Sequence, residues 1–361
     1  MKAAMLFEVG KRLEIVDVQI SKPGPREVLI RTAAVGLCHS DLHFIEGHYP
    51  HPLPVILGHE SSGIVEAVGS EVRTVKPGDH VITCLSVFCG HCEQCLTGHM
   101  STCFSSETAR DPNGESRLSQ NGSPLPQFLN LSSFAEQLLV HEHACVAIRR
   151  DMPLDRAALI GCAVMTGVGA VIHTAKVRPG ETVAVIGCGG VGLSAINGAA
   201  IAGASRIIAL DRVASKADLA RTFGATDFID ASKVDPIEAV RTMVPGGVQH
   251  AIEAIGLAKT AEQAFDMLRV GGTATVVGMI PVDQKVCLPG HAFLDEKRIQ
   301  GSGMGSNRFP VDMPRLVDFY VAGKLKLDEL ISQRIRLPQI NEGFEAMKTG
   351  ELARSVIVFD H

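Results

Sequence analysis

The segment from Thr182 to Asp211 constrains the fold of this chain more than any other. An apolar run, Thr182 to Ile186, leads into Gly187-Cys188-Gly189-Gly190-Val191-Gly192; a helical pattern follows over Val191 to Gly203, and a second apolar run, Arg206 to Leu210, ends at Asp211, nineteen positions beyond Gly192. Glycines at these places permit a tight strand-to-helix turn and close approach of the backbone to a pyrophosphate, while the helix N-terminus offers free N–H groups and partial positive charge. The segment reads as the opening βαβ unit of a dinucleotide-binding sheet, with Gly187, Gly189, Gly190, Val191 and Gly192 at the phosphates. Asp211 can accept hydrogen bonds from the adenosine ribose hydroxyls and repels a 2′-phosphate, so NAD is favoured over NADP. Arg212 is the nearby candidate for contact with a 2′-phosphate and reads as a solvated surface charge while Asp211 is present.

The same rhythm continues through a helical pattern at Ser215 to Phe223 and onward to an apolar run at Thr273 to Val277. Strands alternating with helices imply a parallel sheet covered on both faces. The N-terminal part has a different texture, with short β-type runs (Val28 to Val35, Gly63 to Val68, His80 to Cys84) punctuated by Pro23-Gly24 and Pro77-Gly78. At 361 residues the chain is long enough for two cores. The reading is therefore α/β, a Rossmann doubly wound sheet over residues 164–303 beside a β-rich domain formed by 1–163 and 304–361. The tail, with helical patterns at Met313 to Ala322 and Ile340 to Lys348 and a strand at Ser355 to Phe359, returns to the first domain. Asp111 to Leu131, with Pro112-Asn113-Gly114 and Asn121-Gly122, reads as an exposed connection.

Hydrophobic residues make up 46% and charged residues 20%, which places the chain among ordinary globular proteins and outside the disordered class. The formal charge of -5 comes with no long basic run, so nucleic acid is not an expected partner and small molecules are. Val183 to Ala204 is charge-free and long enough to span a bilayer, but its glycines divide it into strand, turn and helix, and no membrane span is expected. The N-terminus shows no export signal, and the cytoplasm is the expected location.

Cys89, Cys92, Cys95 and Cys103 stand in the order C-x2-C-x2-C-x7-C. Close pairs let two thiolates reach one ion from a tight turn, and a fourth a few residues on completes the tetrahedron of a structural zinc site. Two disulfides are the alternative, and a reducing compartment argues against them. Among the ten cysteines, Cys84, Cys145, Cys188 and Cys287 have no proposed metal role and read as small buried hydrophobes.

Cys38-His39-Ser40-Asp41-Leu42-His43, Gly58-His59-Glu60 and Leu159-Ile160-Gly161-Cys162 complete the pattern together with Ile340-Asn341-Glu342-Gly343-Phe344. Over essentially its whole length the chain resembles the medium-chain, zinc-dependent alcohol dehydrogenase family, whose first domain is GroES-like. The resemblance implies two zinc ions per chain, one in a four-cysteine lobe at about 87–105 and one held by Cys38, His59 and Cys162. It implies Asp41 orienting His59, Glu60 behind the metal, and Ser40 and His43 as a proton relay. His39 and Arg354 match positions at the cofactor phosphates, Lys216 one at the adenosine ribose and Thr166 one beside the nicotinamide, and Val277 is a further cofactor-binding candidate.

The activity implied is reversible hydride transfer between an alcohol or aldehyde and NAD. Tyr49, Leu85, Met279 and Gly303 fall where the family lines its substrate pocket, and Leu85 and Gly303 replace residues that are commonly bulkier. A wide pocket for aliphatic, terpenoid or aromatic primary alcohols is expected. Gly161 to Ala170 and Ala220 to Thr226 also resemble the mycothiol-linked formaldehyde dehydrogenases, so a thiol-dependent formaldehyde dehydrogenase is the alternative, to which Arg110, Arg117 or Lys297 at the pocket mouth would contribute. A non-catalytic relative would lack ligands or relay residues, and none is missing. The family's assembly implies a homodimer, with a tetramer as the alternative.

Overall fold

The computed structural model describes residues 1–111, 114–350 and 352–360. One sheet of six strands runs in the order Asp227–Asp230, Arg206–Asp211, Thr182–Ile186, Val248–Glu253, Leu268–Val276, Arg298–Gly301, and every neighbouring pair is parallel. Chain order reverses at Thr182–Ile186, so the carboxyl ends of this strand and of Val248–Glu253 flank the crevice where such sheets take a ligand. Val183, Ala184, Val185, Ile208 and Ala209 are fully buried because helices cover both faces, which is why these strands are continuous apolar runs. The run Val183 to Ala204 is indeed broken, into this strand and the helix Gly190–Ile201.

The other large sheet is mostly antiparallel and is ordered Cys145–Ile148, His80–Thr83, Ser61–Val68, Glu27–Gly36, Arg354–Val358, Ile331–Ile335, with Gln137–His141 also pairing on Glu27–Gly36. The last strand of the chain lies against Glu27–Gly36, with Val356 opposite Gly36 and Ile357 opposite Val35, so the tail does return to the N-terminal half. Arg354, at the start of that strand, reaches Cys38 at the N-cap of the helix His39–Ile45, its Nη2 lying 3.7 Å from the cysteine sulfur.

Between the sheets lies a 22-residue helical stretch, Leu154–Ala175, with mean hydropathy 1.7 and 83% of its apolar window buried inside the protein. It is long and apolar enough to cross a membrane, yet it serves here as the core helix between two halves. Its turns widen to π geometry at Ile160–Val164, around Cys162, a distortion that often marks functional positions. Gly167 lets this helix meet the next one backbone to backbone: a Cβ there would stand 2.3 Å from the Val191 oxygen.

Three expectations need correction. Pro112 and Asn113 lie outside the described residues, but the rest of Asp111 to Leu131 is not merely an exposed connection. It forms strands Leu118–Gln120 and Ser123–Leu125 and buries Arg117, Leu118, Leu125, Phe128 and Leu131. Glu27 anchors it from beneath, accepting from Arg110 Nε at 2.9 Å and Arg117 Nε at 2.7 Å. Cys287 is exposed, whereas Cys84, Cys145 and Cys188 are buried as expected. The helix expected from Met313 begins at Phe309, because Pro310 sits in the first turn, where a missing N–H costs nothing.

Candidate active site and metal centres

Three elements of the N-terminal half and the core helix converge on one cleft of about 480 Å³. The helix His39–Ile45 supplies Ser40 and His43 and has Cys38 at its N-cap; the extended segment before Ser61–Val68 supplies His59; the π turn supplies Cys162. The Cys38 and Cys162 sulfurs and a ring nitrogen of His59 all lie within 4.8 Å of one another, and all three residues are buried. His59 Nε2 stands 3.2 Å from Cys162 Sγ, close to the roughly 3.5 Å separating a nitrogen and a sulfur that share a tetrahedral zinc.

The opposite ring nitrogen of His59 is held in place. His59 Nδ1 donates to Asp41 Oδ1 at 2.9 Å, and the same oxygen accepts the Gly58 N–H at 3.1 Å, which fixes the imidazole so that Nε2 faces the sulfurs. Burial alone would lower the His59 pKa, but the Asp41 carboxylate outweighs it and leaves the ring well above its usual value. Burial raises Asp41. The hydrogen bond with Cys162 is the largest influence pulling the Cys38 thiol well below its ordinary range, and the Arg354 charge adds to it.

Behind the triad, burial pushes Glu60 up to about 8, and neither of its carboxylate oxygens has a hydrogen-bond partner among the described residues; Arg354 Nε is 3.6 Å from Oε1. Two converging sulfurs, an oriented imidazole and an unsatisfied carboxylate behind them fit a zinc ion with one position left toward the cleft.

The four-cysteine lobe meets the same test. Four thiolates on one zinc stand about 3.8 Å apart. The measured Sγ separations are 3.5 Å for Cys92–Cys95, 3.8 Å for Cys92–Cys103 and Cys89–Cys103, and 3.9 Å for Cys89–Cys95. A disulfide needs about 2 Å. Backbone N–H groups aim at these sulfurs, and those of His91 and then Cys92 help pull the Cys89 thiol down to about 6. Gly90 and Gly98 adopt φ of 93° and 85°, as a chain wound tightly around an ion requires.

Across the cleft lies the glycine turn. Gly187 has φ 97°, and a Cβ on Gly192 would sit 1.7 Å from the Gly187 oxygen, so strand and helix meet only because both are glycine. Gly189, Gly190 and Val191 line the cleft, as do Val277, Met279, Gly303, Leu85, His39, Thr166 and Arg354. Arg354 reaches under the turn: a Cβ at Gly190 would stand 2.6 Å from its Cζ. Asp211 Oδ2 accepts the Cys188 N–H at 2.7 Å and Lys216 Nζ at 3.1 Å, which ties the distal acid to the same turn, while Arg212 is exposed.

Some expected residues fall outside the cleft lining. Asp41, Glu60, Gly187, Gly192, Asp211, Arg212 and Lys216 stand behind or beside it. Tyr49 does not line it either; its hydroxyl donates to the Ile280 oxygen, and its ring lies beside His43 and Phe44, which do. Arg110 and Arg117 are engaged with Glu27, and Lys297 rides over the Phe265 ring at 5.7 Å, so none of the three lines the cleft.

Ala254, Ile255, Val276, Gly278, Ser302, Met304, Phe44 and Leu129 do line it and were not singled out from sequence. The first six follow or end strands of the parallel sheet, where the crevice rule alone would have found them. Leu129 comes from the segment misread as exposed.

The sequence profile described as zinc-binding dehydrogenase matches residues 190–321, and that of the alcohol dehydrogenase GroES-like domain matches residues 24–150. A Mycobacterium tuberculosis protein provisionally named alcohol dehydrogenase D is 37% identical over 99% of both chains. Among solved structures, the alcohol dehydrogenase zinc-binding domain protein from Burkholderia ambifaria is 36% identical with a TM-score of 0.94, covering 100% of this chain and 99% of its own. Benzyl alcohol dehydrogenase from Acinetobacter calcoaceticus is 34% identical with a TM-score of 0.93 over 99% of each chain.

Proposed function

This chain belongs to the zinc-binding alcohol dehydrogenase family, and we propose that it interconverts bulky primary alcohols, aliphatic, terpenoid or aromatic, and their aldehydes with NAD as hydride carrier. The observation that carries the reading is the meeting, in one cleft, of the Cys38, His59 and Cys162 triad with the glycine turn. A bound zinc supplies Lewis acidity that lowers the pKa of a hydroxyl group by several units, and oxidised nicotinamide accepts the hydride.

The chain's own residues do the rest. Cys38, His59 and Cys162 hold the catalytic ion, Asp41 keeps His59 in the tautomer that presents Nε2, and Glu60 tempers the charge behind it. Cys89, Cys92, Cys95 and Cys103 hold the structural ion. His39 and Arg354 bind the cofactor phosphates with Gly187, Gly189, Gly190, Val191 and Gly192; Asp211, Lys216 and Arg212 take the adenosine end; Thr166 and Val277 position the nicotinamide ring. Ser40 accepts the alcohol proton and His43 carries it outward. Ser40 Oγ lies 3.6 Å from Cys38 Sγ, beside the metal position, which supports its place as the inner relay member.

Room in the cleft supports the substrate class. A Cβ on Gly303 would meet nothing within 4 Å, and Leu85 and Met279 leave an apolar wall. The benzyl alcohol dehydrogenase named above acts, by its name, on an aromatic primary alcohol. We also assign residues 1–163 and 304–361 to the metal-holding domain and 164–303 to the nucleotide domain, and expect a homodimer joined through Arg298–Gly301, which among the described residues ends its sheet.

The test is a panel of alcohols from ethanol to benzyl and terpenoid alcohols, followed by nicotinamide absorbance with NAD and NADP, with and without a low-molecular-weight thiol, on protein whose zinc content is measured. Two zincs per chain and faster turnover of bulky alcohols with NAD are expected. Preference for ethanol over every bulky alcohol refutes the substrate class, and formaldehyde oxidation only with added thiol selects the formaldehyde dehydrogenase alternative.

A further inference from the structure

The helix His39–Ile45 ends in a way that fixes the residue just beyond it. Glu46 closes the last turn, Gly47 adopts φ 78°, the Gly47 N–H donates to the Phe44 oxygen at 3.2 Å, and the His48 N–H donates to the His43 oxygen at 2.9 Å. These two reversed bonds are the Schellman arrangement, which brings the residue two places past the cap against the third from last of the helix. Here those two residues are His48 and His43. A Cβ on Gly47 would also strike Val9 Cγ1 at 2.6 Å, so the turn is held from outside as well.

The two imidazoles meet nitrogen to nitrogen, Nδ1 to Nδ1 at 3.1 Å, with ring centroids 5.4 Å apart. At that distance one nitrogen carries a hydrogen and the other offers a lone pair, because two N–H groups cannot face each other. His43 is half-buried and lines the cleft, whereas His48 is exposed. With Nδ1 of His43 engaged, Nε2 is the nitrogen left for the cleft side.

We propose that His48 is the outer member of the proton path, taking the alcohol proton from His43 and passing it to water. The proposal rests on the reading of Ser40 and His43 as the inner relay. The step balances: a proton bonds to His43 Nε2, the His43 Nδ1–H bond breaks as His48 Nδ1–H forms, and the His48 Nε2–H proton leaves to water or a buffer base. Exchange with solvent at the exposed edges then restores the starting tautomers. No electron pair leaves either ring.

Other groups set the conditions under which His43 accepts. Burial lowers its pKa first and a charge on His48 second, while the Cys38 thiolate and Glu46 raise it; Glu46 is paired with Lys348 at 3.3 Å, and the Tyr49 ring lies 6.1 Å away. His48 therefore helps keep His43 unprotonated and ready.

The test uses the zinc-loaded protein with His48→Gln, whose amide oxygen can still accept from His43 Nδ1–H but cannot hand a proton through, and His48→Phe, which keeps a ring and removes both nitrogens. Both variants are expected to lower kcat for alcohol oxidation about tenfold, a modest share of what general acid–base groups supply, with KM for NAD unchanged. Millimolar imidazole in the buffer restores the rate, and the solvent deuterium isotope effect grows. Imidazole NMR titration, which needs no turnover, is expected to show the His43 pKa moving upward in His48→Phe, because the neighbouring ring no longer carries charge.

A His48→Gln enzyme with wild-type rate, pH profile and isotope effect overturns the relay, as does slowing that imidazole does not relieve. A His43 titration unchanged in His48→Phe overturns the pair. Failure of the wild-type protein to oxidise any alcohol is a different result: it sinks the proposed function and shows in the unmutated protein, whereas failure of the relay shows only between variants and in the titration.

Discussion

Replacing Asp41 separates what holds the fold from what holds the metal. Its Oδ1 accepts two hydrogen bonds, from His59 Nδ1 and the Gly58 N–H, and the residue is completely buried. Asp41→Ala strands the Gly58 N–H away from water, at a cost of about 1–3 kcal/mol in stability. It also frees the His59 ring to turn, and losing such an orienting partner weakens metal affinity about 10- to 100-fold, or roughly 1.4–2.7 kcal/mol. Asp41→Asn keeps an oxygen in the same place but not its charge, so it should lose about tenfold in affinity and little stability. The assay is dialysis against a graded series of chelator, with zinc counted per chain and urea unfolding run in parallel. The four-cysteine ion is the internal reference, since none of its ligands touches Asp41. In Asp41→Ala one equivalent should leave at far lower chelator than in the wild type while the other stays. Loss of both equivalents together at the wild-type chelator concentration, in a protein that still unfolds cooperatively, would show that Asp41 does not orient His59.

Two further outcomes are expected. Gly303→Phe places a ring where a Cβ meets nothing within 4 Å; the ratio of kcat/KM for benzyl alcohol over ethanol should fall about 100-fold, matching the roughly 2–3 kcal/mol gained by burying an aromatic ring, and an unchanged ratio would move the substrate elsewhere in the cleft. Glu27 is a pH-dependent stabiliser: burial raises its carboxyl, but hydrogen bonds from Arg110, the Gly24 N–H and Arg117 outweigh this and hold it from 4.5 down to about 2. A carboxyl depressed on folding stabilises fully above its unfolded pKa, here by roughly 3 kcal/mol, and loses that as pH falls toward the folded value. The urea-midpoint gap between wild type and Glu27→Gln should therefore narrow as pH drops from 4.5 toward 2, and a gap constant with pH would remove the ion pairs from the account.

The nucleotide half was readable because its strands are buried on both faces and bounded by punctuating residues. Thr182–Ile186 was found to the residue, between Glu181 and Gly187. The cysteine lobe was legible for another reason, since all its donors lie within fifteen positions of one another. The triad is the opposite case. Cys38, His59 and Cys162 are drawn from a helix cap, an extended segment and a π turn, and no local periodicity joins them; only the family resemblance did. Asp111 to Leu131 was misread because turn-forming residues dominate it, although Leu118, Leu125, Phe128 and Leu131 carried the signal of burial. The pairing of His43 with His48 depends on a left-handed glycine between them, a backbone fact that histidine spacing alone does not express.

The long core helix has one more consequence. Cys162 and Thr166 stand about one turn apart on it, and Gly167 then locks the same rod against the nucleotide helix. One element thus carries both a cysteine of the metal-ligating triad and a residue on the glycine-turn side of the cleft. Loops around the cleft can therefore vary in sequence without altering the spacing between those two positions.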